Sequence, residues 1–261
     1  MSSTETVVWP EAIRDALPPA TAPETEALRR RLLDVLLSPA EPPRMSYEEF
    51  LAWADEDTLA EWVDGEIIMT SPASDRHQDL ARFLTSVLGI FVETQELGVI
   101  RPAPFQMKLE QGREPDLLFV AREHLDRLGG ACLDGPADLV VEIVSPESAG
   151  RDRGEKFYEY ARGGVPEYWL IDPQMESVEF YRLEGGRYRL AFSGEAGRYE
   201  ARVLPGFWLR VEWLWQKPLP SPVQTVAEIV GLPATVRRLI TEMLRTGEVP
   251  GWLAEVLEGG G

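Results

Sequence analysis

Over residues 137–148 the chain reads Ala-Asp-Leu-Val-Val-Glu-Ile-Val-Ser-Pro-Glu-Ser, apolar on both sides of a pleat and ended by turn residues at Ser145-Pro146. Such a run predicts a strand buried on two faces, over residues 138–144. Around it the periodicity alternates between helix and strand. Ser46-Tyr47-Glu48-Glu49 has the form of a capping box and opens a short helix through Trp53. Asp64-Gly65, between Trp62-Val63 and residues 66–69, is a hairpin turn. Leu80, Phe83/Leu84, Val87/Leu88 and Phe91/Val92 recur at helical spacing and predict a long helix over 74–95. Residues 100–109 and 115–120 read as a strand pair turned at Gln111-Gly112-Arg113, followed by a short helix over 122–128. Residues 151–162 predict a helix stopped by Gly163-Gly164, and 167–171 a strand closed by Asp172-Pro173. Residues 177–183, 188–192 and 199–203, with a Gly185-Gly186 turn, predict an antiparallel meander covered by Trp208, Trp213 and Trp215.

Both ends differ in texture from this middle. Residues 1–44 are rich in Pro, Ala and Glu and carry one helical pattern, over 24–37. Pro218, Pro220 and Pro222 form a linker into two further helical patterns, over 223–230 and 234–245. The expected organisation is an N-terminal extension over 1–44, a central domain over 45–215, and a C-terminal helical appendage over 216–261. The fold class is α/β (α+β), a mixed sheet flanked by helices with an antiparallel meander.

Composition narrows the chemistry. At 44% hydrophobic and 27% charged, the 261 residues are those of a globular chain. Cys132 is the sole cysteine and His77 and His124 the sole histidines, which excludes a disulfide framework, a cysteine zinc site and most histidine metal sites. Carboxylates are the abundant ligand type, so a bound metal is expected to be hard, Mg²⁺ or Mn²⁺. No apolar run approaches 20 residues and no signal peptide is evident, which leads to the expectation of a cytoplasmic protein with no membrane partner. The formal charge of -18 argues against indiscriminate nucleic-acid binding but leaves room for a local basic groove.

Glu142 stands inside the most apolar strand, where a carboxylate is costly unless paired, hydrogen-bonded or bound to a metal. Asp116 opens the preceding strand, and consecutive strands tend to be neighbours. Lys156 follows Glu142 on the next predicted helix, which can aim its ammonium at the same point. Two acids and a lysine around a hard cation suit phosphodiester hydrolysis. The metal activates water, and the lysine positions or activates that water and stabilises developing negative charge.

The segments 114–120 (Glu-Pro-Asp-Leu-Leu-Phe-Val), 139–146 (Leu-Val-Val-Glu-Ile-Val-Ser-Pro), 152–156 (Asp-Arg-Gly-Glu-Lys) with Tyr160, and 164–172 (Gly-Val-Pro-Glu-Tyr-Trp-Leu-Ile-Asp) resemble the Uma2 family, formerly a domain of unknown function. Asp64–Ile68 and Ser71-Pro72 with His77 resemble its N-terminal signature. The resemblance covers about residues 45–215. It implies a PD-(D/E)xK, restriction-endonuclease-like core in which Asp116 is the Asp of the Pro-Asp pair and Glu142 the second acid. The lysine of the standard pattern would fall at Val144; the resemblance places that role on Lys156 of the following helix.

Each of these residues has a plainer reading. Glu142 is otherwise a buried acid satisfied by arginine or backbone donors, Asp116 a cap after Pro115, and Lys156 the i,i+4 partner of Asp152 on a helix surface. Glu66 is either a further metal ligand or a hairpin residue. His77 reads as a cap or core histidine, Lys108 as a solvated strand residue, and Tyr160 and Trp169 as core. Arg151, Arg153 and Arg162 alternate with acids as on any solvated helix. The function expected is a Mg²⁺-dependent endonuclease acting on nucleic acid, DNA first, with Asp116, Glu142 and Glu66 holding the metal. A homodimer is expected, since cutting two strands needs two sites. The alternatives are a non-catalytic binding module on the same fold, and another metal-dependent hydrolase on it.

Overall fold

The computed structural model describes residues 44–54, 60–69, 73–130 and 132–248. The helix expected over 24–37, the N-terminal extension and the Ser71-Pro72 pair lie outside these residues.

Local sequence accounts for most element boundaries. In α1 (Tyr47–Trp53) the Ser46 hydroxyl accepts the Glu49 N–H at 3.1 Å, while the Glu49 carboxylate accepts the Ser46 N–H at 2.7 Å, the expected capping box. Strands β1 (Ala60–Val63) and β2 (Glu66–Met69) form the expected hairpin, with Asp64 and Gly65 at φ of 50° and 89°. α2 (Asp75–Thr94) is capped by the Ser74 hydroxyl, which accepts the His77 N–H.

The strand expected over 100–109 is two strands in two sheets, β3 (Gly98–Pro102) and β4 (Gln106–Lys108). Pro102 and Pro104 have no N–H to donate to a ladder, and between them the chain leaves one sheet for the other. β5 (Gly112–Arg113) returns against β4, and β6 (Leu117–Ala121) pairs with β3. A 3-10 turn over Arg122–Arg127 and β7 (Cys132–Asp134) lead into β8 (Leu139–Ile143). The helix expected over 151–162 is broken into α3 (Ala149–Asp152) and α4 (Glu155–Gly163). The break is at Gly154, where a Cβ would lie 2.6 Å from the Gly150 carbonyl oxygen. β9 (Glu167–Asp172), β10 (Ser177–Glu184) and β11 (Arg187–Gly194) follow as an antiparallel run. The next stretch, expected to extend this meander, instead forms β12 (Arg198–Glu200), paired with β13 (Trp208–Arg210). α5 (Pro222–Ile229) and α6 (Ala234–Thr246) end the described chain.

The described residues from 45 onward form one compact unit. Its larger sheet has the order β11-β10-β9-β8-β6-β3, with β8 and β9 the parallel pair; the smaller has the order β2-β1-β5-β4-β7. Alternation divides the buried residues of the larger sheet between two faces. Leu117, Phe119, Leu139, Val141, Ile143, Trp169 and Ile171 pack under α2, and Val226 and Ile229 of α5 join the same core. Leu118, Val140, Tyr168 and Leu170 face Tyr160 and Ala161 of α4 and Met107 and Leu133 of the smaller sheet. The segment after 215 is thus mixed in character: α5 is part of the main core, whereas α6 has no buried residue. Among the described residues no helix is long and apolar enough to cross a membrane.

Candidate active site

Glu142 shares the Val140 face of β8 and so points at α4 and the smaller sheet. It is 3% exposed. Its Oε1 accepts from the Lys156 ammonium at 3.0 Å and from the Tyr160 hydroxyl at 2.9 Å, both one helix away on α4. The break at Gly154 puts Asp152 at the end of α3 and Lys156 at the start of α4, with Nζ 3.5 Å from Asp152 Oδ1. The buried Tyr168 hydroxyl donates to the Asp152 carbonyl at 3.1 Å and pins that corner to β9.

Asp116 lies one step before the Leu117–Val141 pairing of β6 with β8, a register that continues to Glu142. Its Oδ2 accepts the Ile143 N–H at 2.7 Å, and its Oδ1 is 2.9 Å from His77 Nε2. An ionised carboxylate only accepts, so Nε2 is the protonated ring nitrogen in this pair. The Ser74 cap at the head of α2 sets His77 in place, giving that histidine a contact beyond a helix start. Side-chain exposures of 21% for Asp116 and 15% for His77 make this the end of the cluster that meets solvent; Lys156 is 6% exposed.

Sequence reasoning missed Glu61. It sits on β1, 1% exposed, and accepts Lys156 Nζ at 2.9 Å, Arg113 Nη1 at 3.1 Å and the Glu114 N–H at 3.3 Å. Arg113, expected in the turn between two strands, is also 1% exposed and donates from Nε and Nη2 to Glu159 at 2.8 Å each. No local pattern marks Glu61; the signal available was an acid amid Ala, Trp and Val on a strand that had to pack somewhere. Glu66, five residues on, is exposed at the start of β2, and among the described residues no hydrogen bond or ion pair links it to the cluster. Lys108 is also outside it, its ammonium over the rings of Tyr47 and Trp62 at 4.3 and 4.2 Å. Trp169 is core and donates to Glu167. Arg153 pairs with Asp172 and Glu179.

Burial alone would push the Lys156 ammonium down; Glu142, Glu61 and Asp152 outweigh it and hold its pKa well above the ordinary value. Burial raises Glu142, and Asp152, Asp116 and Glu61 add to the rise against the pull of Lys156. Burial also raises Glu61, yet Lys156 and Arg113 together bring it below the usual carboxylate range. Glu61 and Glu142 differ because Glu61 has two cations and Glu142 has one. Burial pushes Glu114 up to about 7, with Gln106 donating to it at 3.1 Å. Burial lowers His77, and its bond to Asp116 reverses this into a net rise.

The donor set suits a hard cation. Among the described residues no three His, Cys, Asp or Glu side chains stand at spacing that would cage an ion. Mg²⁺, however, keeps several waters and is held by one or two carboxylates plus substrate phosphate, which Asp116 and Glu142 match in number and kind. Burial raises the Asp152 carboxyl against the pull of Lys156, whose Nζ is 3.5 Å from its Oδ1, and of a hydrogen bond from Ser148.

A family model described as "Uma2: Putative restriction endonuclease" matches residues 47–212. The chain belongs to the Uma2 family. Two relatives from Synechocystis sp., both named as uncharacterized proteins, align with it: sll1609 at 28% identity over 150 residues (53% of this chain, 81% of the relative) and slr1290 at 26% over 151 residues (55% and 77%). A crystal structure from Anabaena variabilis, titled as that of "a putative nuclease belonging to DUF820", superposes with a TM-score of 0.57 at 18% identity, covering 66% of this chain and 97% of that one. The Uma2 core of this chain is therefore a restriction-endonuclease-like α/β fold, with mixed sheets flanked by helices.

Proposed function

We propose that this Uma2 protein is a metal-dependent endonuclease that hydrolyses phosphodiesters in nucleic acid, DNA first. The observation that carries the proposal is the meeting of Asp116 and Glu142 on neighbouring strands with the Lys156 ammonium 3.0 Å from Glu142. Asp116 and Glu142 would hold Mg²⁺ or Mn²⁺, which supplies a Lewis acid for the phosphate and an acidified water. Glu66 has no part in this reading, because its exposed place on β2 leaves it outside the cluster.

The chain's own residues divide the remaining work. Lys156, held protonated by three carboxylates, has no lone pair with which to take a proton. Its role is to stabilise the negative charge that develops on the phosphate oxygens. Tyr160 and Lys156 fix the Glu142 carboxylate from one side. The Ile143 N–H and His77 fix that of Asp116, at the end open to solvent. A homodimer would supply the two sites that cutting both strands of a duplex needs.

The test is cleavage of supercoiled plasmid and single-stranded DNA and RNA with Mg²⁺ or Mn²⁺ by the wild type, Glu142→Gln and Lys156→Met. Metal-dependent nicking by the wild type and at least a hundredfold loss in both variants is the expected result. Equal traces of activity in all three would end the proposal. A second reading, a binding module without turnover, draws on the enclosure of Lys156 among Glu61, Glu142 and Asp152 and on the charge of -18. It predicts nucleic-acid or protein binding with no cleavage under any metal.

A further inference from the structure

Three carboxylates reach the Lys156 ammonium, and they come from different parts of the fold. Glu142 is on β8 and Asp152 on α3, beside the lysine's own helix, whereas Glu61 arrives on β1 of the smaller sheet. Glu61 makes the shortest contact, 2.9 Å against 3.0 Å for Glu142 and 3.5 Å for Asp152. It is also fixed on its far side. Its Oε1 accepts the Glu114 N–H at 3.3 Å as well as the ammonium, and its Oε2 accepts Arg113 Nη1 at 3.1 Å. Both oxygens are committed, so Glu61 is placed to hold a cationic side chain rather than a metal ion. Arg113, on β5, donates twice to Glu159 at 2.8 Å each. Glu159 stands on α4, one turn beyond Lys156, so the ion pairs close a ring. From Lys156 they run to Glu61, from Glu61 to Arg113, and from Arg113 back to the same helix.

That ring bears on the reaction. A lysine carries its charge on a flexible four-carbon stem, and the ammonium goes where its partners hold it. In the reaction proposed above Glu142 gives part of its charge to the cation, which weakens its grip on Lys156. Glu61 has no such second duty, and its place is set by β1, Arg113 and the Glu114 N–H. We infer that Glu61 is a positioning residue, which holds the Lys156 ammonium beside Glu142 through the ring that Arg113 and Glu159 close. This inference rests on the nuclease reading above. It adds to that reading a residue of the smaller sheet that acts only through the lysine.

The test is single-turnover cleavage of plasmid DNA by the full chain at saturating DNA and Mn²⁺, below the melting temperature of every variant. The proteins are the wild type, Glu142→Gln, Glu61→Gln, Lys156→Met and the double variant Glu61→Gln/Lys156→Met. Glu167→Gln, which loosens a buried network around Trp169 and Tyr199, is the control for lost stability alone. Glu61→Gln should cleave roughly 10–100-fold more slowly than the wild type, as for loss of a group that orients a catalytic one, with its affinities for DNA and Mn²⁺ unchanged. Glu167→Gln should cleave at the wild-type rate. The double variant should be no slower than Lys156→Met, since Glu61 acts through the lysine. A wild-type rate in Glu61→Gln, or a full further loss in the double variant, overturns the inference. Should Glu61→Gln fail to fold, Glu61→Asp keeps the charge one methylene short of its partners and carries the same comparison. Failure of both to fold makes Glu61 a structural acid and overturns the inference. Loss of cleavage in Glu142→Gln beside full cleavage in Glu61→Gln overturns this inference alone, and a wild type that cleaves with no metal overturns the nuclease reading with it.

Discussion

Replacing Lys156 by Met keeps the length of the side chain and deletes its charge. In the native protein that charge is shared by Glu61, Glu142 and Asp152 at 2.9, 3.0 and 3.5 Å. Removing one partner of a buried ion pair costs about 3–5 kcal/mol, because the other is left uncompensated. Glu61 keeps Arg113, so the loss falls on Glu142 and Asp152, and about 4 kcal/mol is the expected cost at pH 8. For a domain of this size that corresponds to a fall of roughly 8–16 °C in melting temperature. The pH dependence is the sharper part. Without the ammonium the folded-state pKa values of Glu142 and Asp152 rise further above their unfolded values. The folded state then binds protons that the unfolded state has released, so stability falls as pH rises. The destabilisation should be largest at pH 8 and shrink towards pH 5. Thermal unfolding followed by circular dichroism in EDTA, at both pH values, reads this directly. A loss equal at pH 5 and pH 8 would mean that Lys156 acts by packing alone, and no loss at either pH would remove it from the charge network.

Three further outcomes follow from the same geometry. Gly154→Ala forces a Cβ to within 2.6 Å of the Gly150 carbonyl oxygen; it should destabilise by about 1–3 kcal/mol in urea unfolding. Glu167→Ala strands four donors, Trp169 Nε1, the Tyr199 hydroxyl and the Arg202 and Val203 N–H groups, and should cost about 2–4 kcal/mol by chemical denaturation without touching metal affinity. Glu114, pushed up to about 7 from an ordinary 4.5, binds a proton in the folded state that the unfolded state releases across that window, so its contribution to stability falls as pH rises through it. Glu114→Gln in EDTA should therefore melt above the wild type at pH 8 and level with it at pH 4.

What the sequence made legible was set by local chemistry. The Ser74 cap and the Leu80-to-Val92 stripe define α2 without reference to anything distant. The β-branched run around Glu142 and the Pro115 start of the preceding strand put Asp116 and Glu142 side by side, since adjacent strands pair. What escaped was decided at long range. Glu61 belongs to the cluster only because β1 pairs with β5 and brings Arg113 inward, 52 residues away. Nothing within ten residues of Glu61 distinguishes it from Glu66, which the hairpin sends to the surface. The break at Gly154 escaped for a different reason: glycine in a helical pattern is tolerated often enough to be read through, and only the closeness of Gly150 shows that it cannot be replaced here. Pro102 and Pro104 did carry the division of 100–109 between two sheets, through their missing donors.

The cluster also implies an order of assembly. Lys156 and Glu142 are 14 residues apart, on one strand-helix-strand unit, and meet as soon as α4 lies on β8. Glu61 joins them only when the smaller sheet closes over that unit, a contact that requires a much larger loop to be ordered first. Loss of Glu142 or Lys156 should thus slow refolding, whereas loss of Glu61 should leave the refolding rate nearly unchanged and hasten unfolding. The two acids that grip one ammonium in the finished protein would then report on opposite sides of the same kinetic barrier.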